Sequence, residues 1–432
     1  MLEFIQLLKH RYQTITQLAT KDIELKSNYQ AQLDSLTLAE AFIQKGKMIK
    51  ALPRHALQIA ILGPTQAGKS SVTNFLLNNN VAGVSPLAGF TIHPQGFLCR
   101  QSEANNLWLK DYFSNFQRQQ QQQLEPDNYH HYSLSRIDSK SEILPSCILW
   151  DTPDFDSIDA NNYREGVLTT AALADVIVLV VSKEKYADQS VWEMMHTLAA
   201  LNQPTLIIVN KLLEDSQQLI LDSLQEKWKS TRNDPFPLVI PLLYQKQGIL
   251  EINSSSEIKR IKKLFKTLVD KSNRRQHNTY EQQLLSSHWQ SWIEPVIAEH
   301  QVLQEWQQLL DESVKEALAH YQRDYLNHPH HYQTFQSALV ELLTLLEIPG
   351  IASVLAKTRR VLTWPVRQLF KLNQGKTVSL AGNSHEIVLL EQISEHTLIK
   401  LTDKLLDKIE GVPEQQQWWK KINRLLRKKR PQ

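Results

Sequence analysis

Apolar residues recur along this chain in three different rhythms. From Leu2 to about Leu52 they fall at helical steps, first in MLEFIQLLKHRYQ and again in LTLAEAFIQKGKMIKAL, which predicts two helices closed by Pro53. Between residues 57 and 272 the rhythm changes to short, near-continuous apolar runs separated by amphipathic stretches. The runs QIAILG, FTIHPQGFLC, SCILWD, VIVLVV, TLIIV and PLVIPLLY predict strands. Helical patterns open near Ser70, Asn161, Asp188 and Asp215, and a last one follows the capping-box sequence SSSE at Ser254 to Glu257. Near-continuous apolar strands alternating with helices predict an α/β domain whose mostly parallel sheet is covered by helices on both faces.

After Arg275 the strand signal fades. Leu285, Trp289, Trp292, Ile293 and Val296, then Leu303, Trp306, Leu310 and Val314, recur every three or four residues and predict long amphipathic helices with a break at Pro295. The stretch TVSLAGNSHEIVLL, 377–390, fits a hairpin and a helix equally. The predicted organisation is therefore residues 1–56 as N-terminal helices of a helical bundle, 57–272 as the α/β domain, 273–410 as the rest of an all-α bundle, and 411–432 as a basic amphipathic tail.

Composition narrows the class. With 42% hydrophobic and 22% charged residues, the 432-residue chain reads as a folded protein of two or three domains. Its formal net charge is only +3, so attraction to an acidic partner must come from local clusters. Two cysteines, Cys99 and Cys147, both in apolar stretches, exclude a disulfide scaffold and point to buried thiols in a reducing cytosol. The opening residues lack the charged start and cleavage site of a signal peptide, and no apolar run reaches about 18 residues. A cytoplasmic protein, soluble or peripheral at the inner face of a membrane, is the expectation.

The candidate chemistry begins at Gly63-Pro64-Thr65-Gln66-Ala67-Gly68-Lys69-Ser70, which satisfies G-x-x-x-x-G-K-[ST] between a strand and a helix. That spacing lets loop N–H groups and the helix N-terminus surround phosphate, while Lys69 reaches the β- and γ-phosphates and the Ser70 hydroxyl ligates Mg²⁺. Ser71 completes the loop. Asp151, ending the strand in CILWDTPDFDS, is placed to hold Mg²⁺. Thr91, in SPLAGFTIHPQGF, is selected by position alone as a threonine meeting Mg²⁺ and the γ-phosphate; an ordinary strand threonine is the alternative. Asn210 and Lys211, in LIIVNKLLED, read as a base-recognition pair.

P-loop, threonine, D-x-P and N-K in this order resemble a GTPase of the translation-factor-related class, and QIAILGPTQAGKSS is especially similar to the dynamin branch. The resemblance covers residues 57–272 and implies GTP as substrate, Mg²⁺ as cofactor and hydrolysis to GDP and phosphate. It also implies a homodimer through the GTPase domain, a bundle shared by N- and C-terminal helices, and peripheral membrane association. Three positions depart from the family. Asp154 stands for the glycine of D-x-x-G, Phe155 for a water-orienting glutamine, and Leu213 for the aspartate of N-K-x-D, with Glu214 or Asp215 as substitutes. Slow hydrolysis follows, and the resemblance makes Thr65 and Gln66 the catalytic candidates on dimerisation.

Outside that domain, residues 348–372 combine Lys357, Arg359, Arg360, Arg367 and Lys371 with apolar residues and no acid. Such a segment suits an anionic membrane surface or a bundle helix whose cations snorkel. In the tail, seven basic residues follow Glu414, and Trp418, Trp419, Ile422, Leu425 and Leu426 share one helical side. Residues 418–430 thus suit anionic lipid, RNA or a solvated helix without a partner. A ribosome- or RNA-associated GTPase and a nucleotide-binding scaffold with little hydrolysis are the alternative functions. The histidines of NYHHY and NHPHHY and the glutamines 119–123 read as loop or exposed-helix residues without a ligand role.

Overall fold

A computed structural model describes residues 1–18, 23–83, 91–125, 128–137, 141–156, 160–212, 216–231, 234–243, 255–272, 274–324, 384–411 and 413–429. These divide into two compact units, 1–292 and 293–432.

The first unit opens with α1 (Leu2–Leu18) and α2 (Ile23–Ala51). An α/β fold follows: β1 (Leu57–Leu62), α3 (Lys69–Leu77), β2 (Gln95–Cys99), α4 (Leu109–Tyr112), β3 (Gln117–Gln119), β4 (His131–Arg136), β5 (Cys147–Asp151) and α5 (Ala160–Leu173). It continues through β6 (Val176–Ser182), α6 (Gln189–Ala199), β7 (Thr205–Leu212), α7 (Gln217–Thr231), β8 (Leu238–Leu243) and α8 (Ser255–Lys271). The sheet order is β3-β4-β2-β5-β1-β6-β7-β8. Strands β5, β1, β6, β7 and β8 are mutually parallel, while β2 pairs antiparallel with β5 and carries β4 and β3 parallel to itself. The α/β expectation therefore holds, with one antiparallel seam.

Strand periodicity explains the core. Ile59, Ile61, Val178, Val180, Leu206 and Ile208 alternate onto one face and meet Val72 and Leu76 of α3 and Ile261, Phe265 and Leu268 of α8. On α8 the inward residues recur at three- and four-residue steps, and Lys259, Arg260, Lys262, Lys263 and Lys266 are left exposed. Elsewhere Phe113 stacks on Tyr132, with ring centroids 4.6 Å apart, and lies tilted against Trp150 at 5.2 Å.

Helices α1 and α2 dock on this unit through buried charge. Lys9 bridges Glu40 at 2.8 Å and Glu165 of α5 at 2.7 Å. Asp175, just before β6, is held by Lys45 at 3.1 Å and by Arg274, and its carboxyl stays well below the ordinary range because these two cations outweigh its burial. The next helix, α9 (His277–Asp324), joins the same layer where Tyr12 donates to the Trp292 carbonyl and the Trp292 indole donates to Ser35 at 2.8 Å.

Several expectations need correction. Helix α9 runs through Pro295 without a break, although proline costs one intrahelical hydrogen bond there. Strands β3 and β4 were not expected; β3 is three polar residues at a sheet edge, and β4 (HYSLSR) mixes buried polar with apolar positions. His131 is consequently a buried strand residue, with Nε2 3.2 Å from the Asn128 amide, not a loop histidine. Only Gln95–Cys99 of FTIHPQGFLC is strand. Gln121–Gln123 form a short 3-10 turn.

In the second unit, α10 (Ser384–Ile409) and α11 (Pro413–Lys429) accompany the later part of α9. Residues 384–390 are therefore helical. Val302, Trp306 and Leu310 pack with Leu401 and Leu405 of α10 and with Trp419 and Ile422 of α11. Trp419 is fully buried, so the apolar side of the tail faces the unit's own core, and only Lys420, Lys421 and Arg424 among its described side chains are exposed cations. Trp419 and Ile422 are therefore not available for insertion into lipid, while Trp418, Leu425 and Leu426 are partly buried against the same core. Residues 348–372, NHPHHY, Leu213 and the Ser254 cap lie outside the described residues. No helix among the described residues is long and apolar enough to cross a membrane.

Candidate nucleotide-binding site

The strand ends of β1, β5, β6 and β7 converge, and the candidate residues sit at their carboxyl edge, where ligands of open α/β sheets bind. At Gly63 a Cβ would lie 2.3 Å from the Val180 carbonyl oxygen, so the loop leaves β1 against backbone with no room for a side chain. Gln66 (φ +62°) and Gly68 (φ +90°) adopt left-handed backbone, which curls the loop into the start of α3. The Val72 N–H donates to the Gly68 carbonyl at 2.9 Å, and the first turn of α3 carries no acid. Such a helix start favours an anion.

Lys69 is buried beneath this loop. Its ammonium donates to the carbonyls of Gly63 at 3.0 Å and Pro64 at 3.2 Å and pairs with the Asp154 carboxylate. Beside it the Ser70 hydroxyl donates to Asp151 Oδ2 at 2.7 Å and lies 3.5 Å from the Thr91 hydroxyl. The register Gln95↔Asp151 across the antiparallel seam is what carries the preceding residues, Thr91 included, to the end of β5.

The donor set fits Mg²⁺. Among the described residues, Asp151 Oδ1 is buried without a hydrogen-bond partner, and Ser70, Thr91 and Asp151 present only hard oxygen atoms. Burial, with the nearby Asp154 charge, pushes the Asp151 carboxyl up to about 6 despite the Ser70 hydrogen bond and the Lys69 charge. A divalent cation would supply the charge that this raised carboxylate lacks and neutralise phosphate oxygens. The Thr152 hydroxyl donates to the Ile61 carbonyl at 2.7 Å and pins the end of β5 to β1.

Asn210 and Lys211 grip the phosphate loop, a role their base-recognition reading omitted. Asn210 Nδ2 donates to the Ala67 carbonyl at 3.0 Å, and Lys211 Nζ donates to the Gln66 carbonyl at 2.8 Å. A Cβ at residue 68 would come 2.3 Å from Asn210 Nδ2, so the strap requires glycine there twice over, for space and for φ. Pro64 is buried and Ser71 half-buried.

Sequence reasoning missed Asp156. Its Oδ1 accepts from the Thr65 N–H and from the Thr65 hydroxyl at 2.7 Å, and its Oδ2 pairs with Lys185 at 3.2 Å. Burial raises this carboxyl, but the Thr65 hydrogen bonds and Lys185 outweigh it and hold it below the ordinary value. The alternating acids of DTPDFD were the available signal. Phe155 between them is buried at 4% exposure and has no polar atom to offer water.

Residues 58–211 match the family described as 50S ribosome-binding GTPase. Over 52 residues, 12% of this chain, the sequence is 46% identical to the mitochondrial tRNA modification GTPase mss1 of Schizosaccharomyces pombe, and it spans only 10% of that protein. Among solved structures, Aquifex aeolicus Era bound to GDP·AlF4⁻ is 17% identical with a TM-score of 0.30, covering 48% of this chain and 56% of that one. A chain of an oligomerised bacterial dynamin pair, described as sensing and tethering membranes, is 16% identical with a TM-score of 0.35, covering 98% of this chain and 79% of that one. The α/β part of this protein is a P-loop GTPase domain.

Proposed function

We propose that this protein is a Mg²⁺-dependent GTPase whose nucleotide state governs its association with RNA or a ribosomal particle. The observation that carries the GTPase reading is the convergence of Lys69, Ser70, Thr91 and Asp151 at one strand edge, strapped by Asn210 and Lys211. Two features support the RNA partner. The matched family and the short stretch shared with a tRNA modification GTPase both carry names tied to RNA machinery. In addition, α8 turns Lys259, Arg260, Lys262, Lys263 and Lys266 to solvent while its apolar residues are spent on the core, which suits phosphate and offers no ring to lipid.

Hydrolysis is slow in this reading because Phe155 cannot polarise water. Thr65 and Gln66 supply the catalytic contribution when two GTPase domains meet. The test is GTP turnover measured against protein concentration, alongside sedimentation with ribosomes or structured RNA across a salt series. Binding that strengthens with GTP and falls steeply with salt supports the proposal; turnover at background at every concentration leaves a nucleotide-binding scaffold.

A dynamin-like membrane role is the second reading. It is favoured by the layer in which α1 and α2 pack with the start of α9, so that segments from both sides of the GTPase domain share one set of helices. Residues 348–372 are then its lipid contact, since Trp419 and Ile422 are buried. Co-sedimentation with anionic liposomes, lost on replacing the five cations of 348–372, distinguishes it from the RNA reading.

A further inference from the structure

Asp154 holds the side-chain cation that the P-loop offers to phosphate. The Lys69 ammonium has three hydrogens, and among the described residues its partners are the Gly63 carbonyl, the Pro64 carbonyl and the Asp154 carboxylate. The two carbonyls belong to the loop that Lys69 closes. Asp154 is the partner from another segment, and the pair is nearly dry, with side-chain exposures of 4% and 11%. The turn bearing Asp154 is anchored on both sides, by Thr152 on the Ile61 carbonyl and by Asp156 on Thr65. Its carboxylate is therefore delivered to Lys69 by the fold.

We propose that Asp154 is a specificity-determining residue that acts in the manner of an internal terminal phosphate: it makes the site favour guanosine diphosphate, and the triphosphate binds by displacing it from Lys69. The inference rests on the phosphate-site reading given above. Loop N–H groups and the start of α3 serve the inner phosphates, whereas the outermost phosphate relies on Lys69 and the metal. An anion already on Lys69 thus opposes the γ-phosphate most, both by occupying the cation and by like charge in a poorly solvated site. Displacing Asp154 also pulls on Asp156 two residues later, which releases the Thr65 hydroxyl. Binding of the triphosphate and freeing of the catalytic candidate become one event.

The experiment uses the full chain with Mg²⁺ and compares affinities for GDP and a non-hydrolysable GTP analogue in the natural protein, Asp154→Asn, Asp154→Gly and Lys69→Ala, each checked by thermal melting. Asparagine keeps the shape and removes the charge. The expected result is about tenfold tighter binding of the triphosphate analogue to Asp154→Asn, with GDP changed about threefold or less. Asp154→Gly should move the ratio in the same direction. An unchanged GDP-to-triphosphate ratio in both variants overturns the proposal, as does weaker triphosphate binding. If neither nucleotide binds the natural protein or Asp154→Asn, and Lys69→Ala is indistinguishable from both, the phosphate-site reading itself fails and this inference with it.

Discussion

Residues 63–70 and residues 151–156 converge on Lys69 from opposite sides, and they are built from different materials. The P-loop is held by backbone: carbonyls of Gly63, Pro64, Gln66 and Ala67 accept from Lys69, Lys211 and Asn210, and left-handed backbone at Gln66 and Gly68 shapes it. The segment after β5 instead works through carboxylates, with Asp151 on Ser70, Asp154 on Lys69 and Asp156 on Thr65. The first region is designed to receive an anion and the second supplies anions to it. Removing the Lys69 cation and removing the Asp154 charge should therefore push triphosphate affinity in opposite directions, whereas Asp151 acts with the P-loop through Mg²⁺.

The largest effect should come from Lys69→Ala, which removes the cation shared by both regions; nucleotide affinity and turnover should fall about 10²–10³-fold, measured by titration and phosphate release. An effect remote from that lysine separates folding from binding. Burial, followed by the Lys45 charge, holds the His277 imidazole down to about 4, while its Nε2 donates to the Phe42 carbonyl at 2.9 Å. Because the unfolded imidazole titrates near about 6.5, unfolding takes up a proton between the two values. Stability is thus intact above pH ~6.5 and should fall by up to about 3 kcal/mol as the pH drops to ~4, unless His277 is replaced by a neutral residue. Denaturant unfolding at several pH values reads this directly.

Gly68→Ala tests the backbone side of the comparison. Its Cβ meets Asn210 and its φ is left-handed, so a loss of about 1–3 kcal/mol in stability, together with weaker phosphate binding, is expected from melting and titration. Asp151 tests the carboxylate side with the smallest change. Its raised carboxyl, at about 6, is protonated as the pH falls through that value, so apparent Mg²⁺ affinity should be full above pH ~7 and weaken about tenfold for each unit well below 6. Asp154→Asn removes one of the charges that raise it, and the midpoint should move down.

The sequence made the backbone region legible and hid much of the other. Glycine spacing, the strand before Gly63 and the helix after it are local properties, and all of 63–71 could be placed from them. Asn210 and Lys211 were found as a motif, yet their hold on Ala67 and Gln66 spans more than a hundred residues of sequence and is set by β1 and β7 flanking β6. The Asp154–Lys69 and Asp156–Thr65 contacts depend on the same kind of tertiary proximity, so the acids read only as departures from a pattern. In the sheet, the near-continuous apolar runs of β1, β5, β6 and β7 announced themselves. The three-residue polar strand β3 and the mixed strand β4 had no period to detect. The tail misled for a physical reason: an amphipathic helix with basic and aromatic faces has the same pattern whether its rings meet lipid or, as for Trp419, the core of its own unit.

The central claim is that this strand edge binds Mg²⁺ and a guanine nucleotide through Lys69, Ser70 and Asp151. Calorimetric titration with GDP, GTP and ATP, each with and without Mg²⁺, tests it most directly, with Ser70→Ala alongside. Guanine nucleotides should bind, ATP should not compete, and the Mg²⁺ dependence should be lost in Ser70→Ala. Equal affinity for ATP, or guanine binding indifferent to Mg²⁺ in the natural protein, would contradict the account.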